Sequence, residues 1–143
     1  MRILIVLFIS FLFYSCSVEP TPLVYGKDGC YACKMTLMDK KFGAEVVTTK
    51  GKVYKFDDMN CMINFLNSSE VEDRDIAYRL VIDYGTPDKF IDAREAFYIK
   101  SDKIRSPMAS EVAAFETKSD MQAANKEWRG IVLSWGELIT QYK

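Results

Sequence analysis

The chain opens on an apolar run, Ile3 to Phe13, broken only by Ser10. Eleven residues are too few to cross a hydrocarbon core, which takes about 20 in a helix. The run follows Met1-Arg2, a minimal positive start, and ends at Phe13-Tyr14-Ser15-Cys16. This pattern reads as a signal-peptide apolar region over residues 1–15. A small residue directly before a cysteine at its end resembles a bacterial lipobox, with Cys16 as the lipidation site and Phe13 standing where Leu is usual. The segment Ser17-Val18-Glu19-Pro20-Thr21-Pro22 then suits a tether between lipid and domain, so 16–27 is expected to be lipidated N-terminus and linker. What remains, 28–143, is long enough for one compact domain.

Composition narrows the chemistry. The chain has no histidine, which excludes a Ser-His-Asp triad, a Cys-His dyad, a histidine-bearing zinc or type 1 copper site and a His-ligated haem. With 19 Lys+Arg against 20 Asp+Glu it lacks the basic excess of a general nucleic-acid binder. If Cys16 carries lipid, Cys30, Cys33 and Cys61 are left. An odd number does not make a disulfide framework in an exported protein, so at least one thiol needs another reason.

The periodicity predicts strands over Phe42–Thr49 and Val53–Phe56, turned by Lys50-Gly51-Lys52, then a helix from Met59 to Leu66 capped by Asp57-Asp58. A strand over Ala77–Tyr84 follows, and Gly85-Thr86-Pro87 breaks the chain. The second half repeats the order: strands at Ala96–Ile99 and Val112–Phe115, a helix over Thr117–Trp128 ended by Gly130, a strand over Ile131–Trp135 and closing helical turns over Gly136–Tyr142. Phe56-Asp57-Asp58-Met59 and Phe115-Glu116-Thr117-Lys118 both run aromatic, acidic, then helix. The expected fold is α+β: two small β-β-α-β units packed together, over roughly 28–88 and 89–143.

The chemistry concentrates in sulfur. Cys30-Tyr31-Ala32-Cys33-Lys34-Met35 offers two thiols and a thioether in a loop, and thiolates and thioethers are soft donors that suit Cu(I). A Cys-x-x-Cys pair also fits a thiol–disulfide oxidoreductase. That motif ordinarily follows a strand and opens a helix, however, whereas this one precedes the first strand. Cys61 and Met62 are adjacent on a helix and so do not share a face. Cys61 reads either as an auxiliary thiol or as a small buried hydrophobe, and Met62 as core. Met108, in the polar loop Ser106-Pro107-Met108-Ala109, is a further candidate ligand. Met38 and Met121 read as packing residues.

These stretches together resemble the NosL family of nitrous oxide reductase accessory proteins, over roughly Asp28 to Leu138. The resemblance rests on Cys30-Tyr31-Ala32-Cys33-Lys34-Met35, Phe56 through Asp57-Asp58 to Cys61-Met62, Tyr84, Ile91-Asp92-Ala93 leading to Ala96-Phe97-Tyr98, Ser106-Pro107-Met108, and Gly130-Ile131-Val132-Leu133. It implies a metallochaperone rather than an enzyme, anchored by lipid on the periplasmic side of the cell envelope. Such a protein supplies Cu(I) to nitrous oxide reductase or its assembly machinery, and has a fold related to part of organomercurial lyase. The family's Cys-x-Met pair falls on Cys33 and Met35, and its later Met on Met108. Cys30 and Cys61 are additional thiols and would assist. A thiol–disulfide oxidoreductase using Cys30 and Cys33 is the alternative, and a lyase built on Cys33, Cys61 and Asp57 is a remote one.

Overall fold

The computed structural model describes residues 18–142; the expected signal peptide and Cys16 lie outside them. Its elements run β1 (Ala44–Thr48), β2 (Val53–Phe56), α1 (Met59–Asn67), a 3-10 turn (Asp73–Asp75), β3 (Ile76–Ile82), β4 (Phe90–Asp92), β5 (Phe97–Lys100), β6 (Val112–Phe115), α2 (Lys118–Trp128), β7 (Ile131–Leu133) and α3 (Trp135–Gln141). One antiparallel sheet has the order β2-β1-β3-β4, the other β6-β5-β7. In each, the first strand of a β-β-α-β unit lies between the second and third, so the two expected units share one topology.

β4 is the element the periodicity does not announce. It has three residues, too few to show alternation, and forms by register with β3, Leu80 opposite Asp92. Tyr84, expected in β3, has left its sheet: its N–H donates to Ala114 O at 2.8 Å, a backbone link to β6 of the second sheet. Trp135 begins α3 rather than ending β7.

The helices start on the capping residues the sequence supplies. Asp58 caps α1, Thr117 caps α2, and Ser134 with Glu137 forms a capping box on α3. Arg129, in the left-handed region at φ 50°, is the C-cap of α2. Gly130 serves a different need: a Cβ there would lie 2.4 Å from Lys100 O and 2.6 Å from Ile99 Cγ2, so β7 can join β5 only without one.

One core spans both units, joining Phe56, Met62, Ile63 and Val81 of the first to Tyr98, Val112 and Leu138 of the second. A smaller cluster under α2 holds Phe42, Ile99, Phe115 and Met121. β1 is buried along its whole length because both of its faces are covered. Ala44 and Val46 belong to the main core. Glu45, pointing to the opposite face, is buried and accepts hydrogen bonds from Thr21 N at 2.9 Å and Thr21 Oγ1 at 3.1 Å. Burial pushes its carboxyl above the usual range, against the hydrogen bonds from Thr21. The stretch expected as tether therefore lies as a strap on β1 from Thr21 onward, with Leu23 and Tyr25 packed against the core.

Candidate metal site

The loop that carries the first two cysteines is shaped by its own backbone and then pinned to β2. Cys30 N donates to Met35 O at 2.8 Å and Lys34 N to Cys30 O at 3.0 Å, with Lys34 left-handed at φ 65°. An isolated bridge, Gly29 to Thr36, closes its base. Tyr31 N donates to Lys55 O at 2.7 Å, while the Tyr31 ring stands edge-on to Tyr54 at 4.8 Å and to Phe65 at 5.5 Å. Two residues beyond Lys55 comes Asp57, and on the first turn of α1 comes Cys61.

This arrangement brings four ligand-type side chains together. The sulfurs of Cys30, Cys33 and Cys61 and a carboxylate oxygen of Asp57 all lie within 4.8 Å of one another. Among the described residues these three cysteines carry free thiols. Cys30, Cys61 and Asp57 are buried at 2%, 5% and 2% exposure, and Cys33 is half-buried, so it forms the solvent side of the cluster.

The hydrogen bonding is directional. The Cys33 thiol donates toward both Asp57 oxygens, Oδ2 at 3.4 Å and Oδ1 at 3.5 Å. The Cys30 thiol is pulled down to about 6, chiefly because Cys61 donates to its sulfur and, against burial, because the Cys33 and Asp57 backbone N–H groups do too. Cys61 is pushed up by that same bond to Cys30, by burial and by the nearby negative groups. Burial pushes Cys33 up, with Cys30 and the Asp57 charge acting the same way. Among the three thiols the negative charge thus settles on Cys30, with the protonated Cys33 and Cys61 around it and the Asp57 carboxylate beside them. A soft cation would displace those protons and take up sulfur ligands already in place.

Of the five candidate ligands read from the sequence, Cys30, Cys33 and Cys61 converge. Met35 closes the same loop and its side chain is 53% exposed. Met108 is partly buried against the main core, and its backbone is tied to the start of α1: Met108 N donates to Asp58 Oδ2 at 2.8 Å, and Asn60 Nδ2 donates to Met108 O at 2.8 Å. Met62 and Met121 are core, at 0% and 3% exposure. Met38 departs from its expected packing role: it is 71% exposed, because the buried Leu37 takes the inward position and leaves Met38 outside. Asp57 is the site residue that sequence reading assigned to helix capping and, beyond that, only to the remote lyase alternative. Asp58 does the capping; the displacement of Asp57 by one residue turns it to the thiols.

A sequence model of the NosL family matches residues 23–142. A search among proteins of curated function returned no match. Among solved structures, the fold is similar to the crystal structure of the copper chaperone NosL from Shewanella denitrificans, with a TM-score of 0.72 at 20% identity, over 85% of this chain and 96% of that one. At that identity the likeness is one of fold; the family match itself spans both β-β-α-β units and the loop that contains Met108. The chain belongs to the NosL family.

Proposed function

We propose that this protein is a Cu(I) chaperone, tethered by lipid on Cys16 to the periplasmic side of a membrane, that supplies copper for the maturation of nitrous oxide reductase. The observation that carries the copper reading is the convergence of three free thiols and one carboxylate within 4.8 Å. The family and the copper chaperone of similar fold point the same way. Thiolates select soft ions, and a set with two buried sulfurs and one half-buried sulfur holds the ion while leaving an approach for an incoming ligand. Met35, in the cysteine loop, and Met108, in the loop bonded to the start of α1, are the thioethers that would complete the set, and being neutral they would add no charge to it.

The oxidoreductase alternative asks for a sulfur that is both accessible and acidic. Here the two properties are separated: Cys30 is the acidic thiol but buried, and Cys33 is the accessible one but pushed up.

The test is competition for Cu(I) against a chromogenic chelator under reducing conditions, with native mass spectrometry to count bound metal. Wild type should bind one ion and Cys33→Ser should lose most of the affinity. Equal affinity in the two would end the copper reading. In cells, deletion of the gene should leave nitrous oxide reductase short of copper, and a chain with Cys16→Ser should fail to sediment with membranes.

A further inference from the structure

We infer that Asp58 is a positioning residue for copper binding: one of its oxygens starts helix α1, and the other holds the Met108 loop in place beside the thiol cluster. The inference rests on Met108 being a copper ligand, as proposed above.

The division between the two oxygens is explicit. Oδ1 accepts from Met59 N at 2.7 Å and from Ser110 Oγ, which caps the helix. Oδ2 accepts from Met108 N at 2.8 Å and from Ser110 N at 3.2 Å. Asp58 is wholly buried, so these donors have no water to replace it.

The loop needs an external hold. Ala109 and Glu111 are left-handed at φ 54° and φ 58°, a region that residues other than glycine keep only when the surroundings impose it. Within the loop, Ser106 Oγ sits 3.0 Å from Ser110 Oγ and accepts from Glu111 N at 3.1 Å. These bonds shape the turn without fixing it to the first unit. The fixing bonds are those from Met108 N and Ser110 N to Asp58 Oδ2, the bond from Ser110 Oγ to Asp58 Oδ1, and the bond from Asn60 Nδ2 to Met108 O. Asp58 and Asn60 flank Met59 between Asp57 and Cys61, so the segment that supplies two cluster residues also grips the loop with the thioether. The loop comes from the second unit, between β5 and β6, and the thiols come from the first.

Asp58→Asn separates the two duties. Asn is as good an N-cap as Asp, so its oxygen keeps α1. The other position becomes an NH2 group facing the Met108 and Ser110 N–H groups, donor against donor, and loosens the loop at Met108, leaving it the bonds from Ser110 Oγ and Asn60 Nδ2.

The experiment uses the whole mature chain. For Asp58→Asn the expected results are retained helical circular dichroism and faster hydrogen exchange at the Met108 and Ser110 amides without metal. With copper, the affinity should fall about 10- to 100-fold, the range for groups that orient a ligand, and X-ray absorption should count one sulfur fewer on Cu(I). In a Met108→Leu background Asp58→Asn should cost nothing more, because the loop then has no ligand to place. Asn60→Ala, which leaves the cap alone, should show the same dependence on Met108 and serves if Asp58→Asn does not fold. An equal loss with and without Met108, or an unchanged sulfur count, overturns the inference while leaving Met108 a ligand. Unchanged affinity in Met108→Leu alone removes the ligand reading of Met108 and the inference with it.

Discussion

The Cys33 thiol and the Asp57 carboxylate face each other across the mouth of the cluster, Sγ lying 3.4 Å from Oδ2 and 3.5 Å from Oδ1. A carboxylate at that distance favours the protonated thiol, and burial adds to it. Asp57→Asn removes the charge and keeps the shape. Cys33 should then ionise more readily, and its alkylation by iodoacetamide near neutral pH should quicken, read by mass spectrometry of the metal-free protein. A slower or unchanged rate would mean that the carboxylate does not govern this sulfur.

Copper affinity should depend on pH in two regimes. Cys30 titrates at about 6 while Cys33 and Cys61 are pushed above their ordinary value. For an ion held by all three sulfurs, the protons of Cys33 and Cys61 must leave near pH 7, so affinity should fall about a hundredfold per pH unit on acidification. Below about pH 6 the Cys30 proton joins them and the fall should steepen to about a thousandfold per unit. Chelator competition between pH 5 and 8 gives both slopes, and a single shallow slope would show that fewer sulfurs bind.

Docking of the N-terminal strap depends on Gly43. A Cβ at that position would lie 2.2 Å from Leu23 Cδ1 and 3.1 Å from the Tyr25 hydroxyl. Gly43→Ala should therefore turn the Leu23 side chain aside and loosen the strap on β1, at a cost of about 1–3 kcal/mol in chemical denaturation. Limited proteolysis should cut the variant between residues 20 and 28 and spare the wild type.

The methionines should divide sharply. Met121, at 3% exposure under α2, should cost about 2–5 kcal/mol on truncation to Ala, and Met121→Leu less than about 1.5 kcal/mol. Neither change should alter copper affinity. Met38, at 71% exposure, should tolerate Ser with little change in stability. A large copper defect in Met121→Leu would move the site away from the thiols.

Much of the fold is legible because each unit punctuates itself. Asp58 and Thr117 sit where the apolar pattern changes period, and each is a cap in the structure; Ser134, which the pattern puts inside a strand, caps the third helix. Short strands escape this reading: Phe90–Asp92 is a strand only because Leu80 and Val81 offer it a partner. For the site, the sequence singles out the cysteines that the fold brings together but says nothing of their mutual distance. That depends on a backbone bond between Tyr31 and Lys55 and on the turn of α1 that presents Cys61. Asp57 hides behind Asp58, since either can be read as a cap. Glu45 hides in an apolar strand, its role visible only once Thr21 lies across it.

The two units share a topology but not a duty. The thiols and Asp57 belong to the first, while Met108 sits on a hairpin loop of the second whose backbone is bonded to Asp58 and Asn60, and Tyr84 N to Ala114 O at 2.8 Å stitches the sheets between them. A repeat of this kind looks divisible, yet the first half leans on the second: Asp58 accepts from Met108 N, Ser110 N and Ser110 Oγ. The first, excised, would keep its thiols and lose the loop bonded to the start of α1; the second would keep that loop and no cysteine.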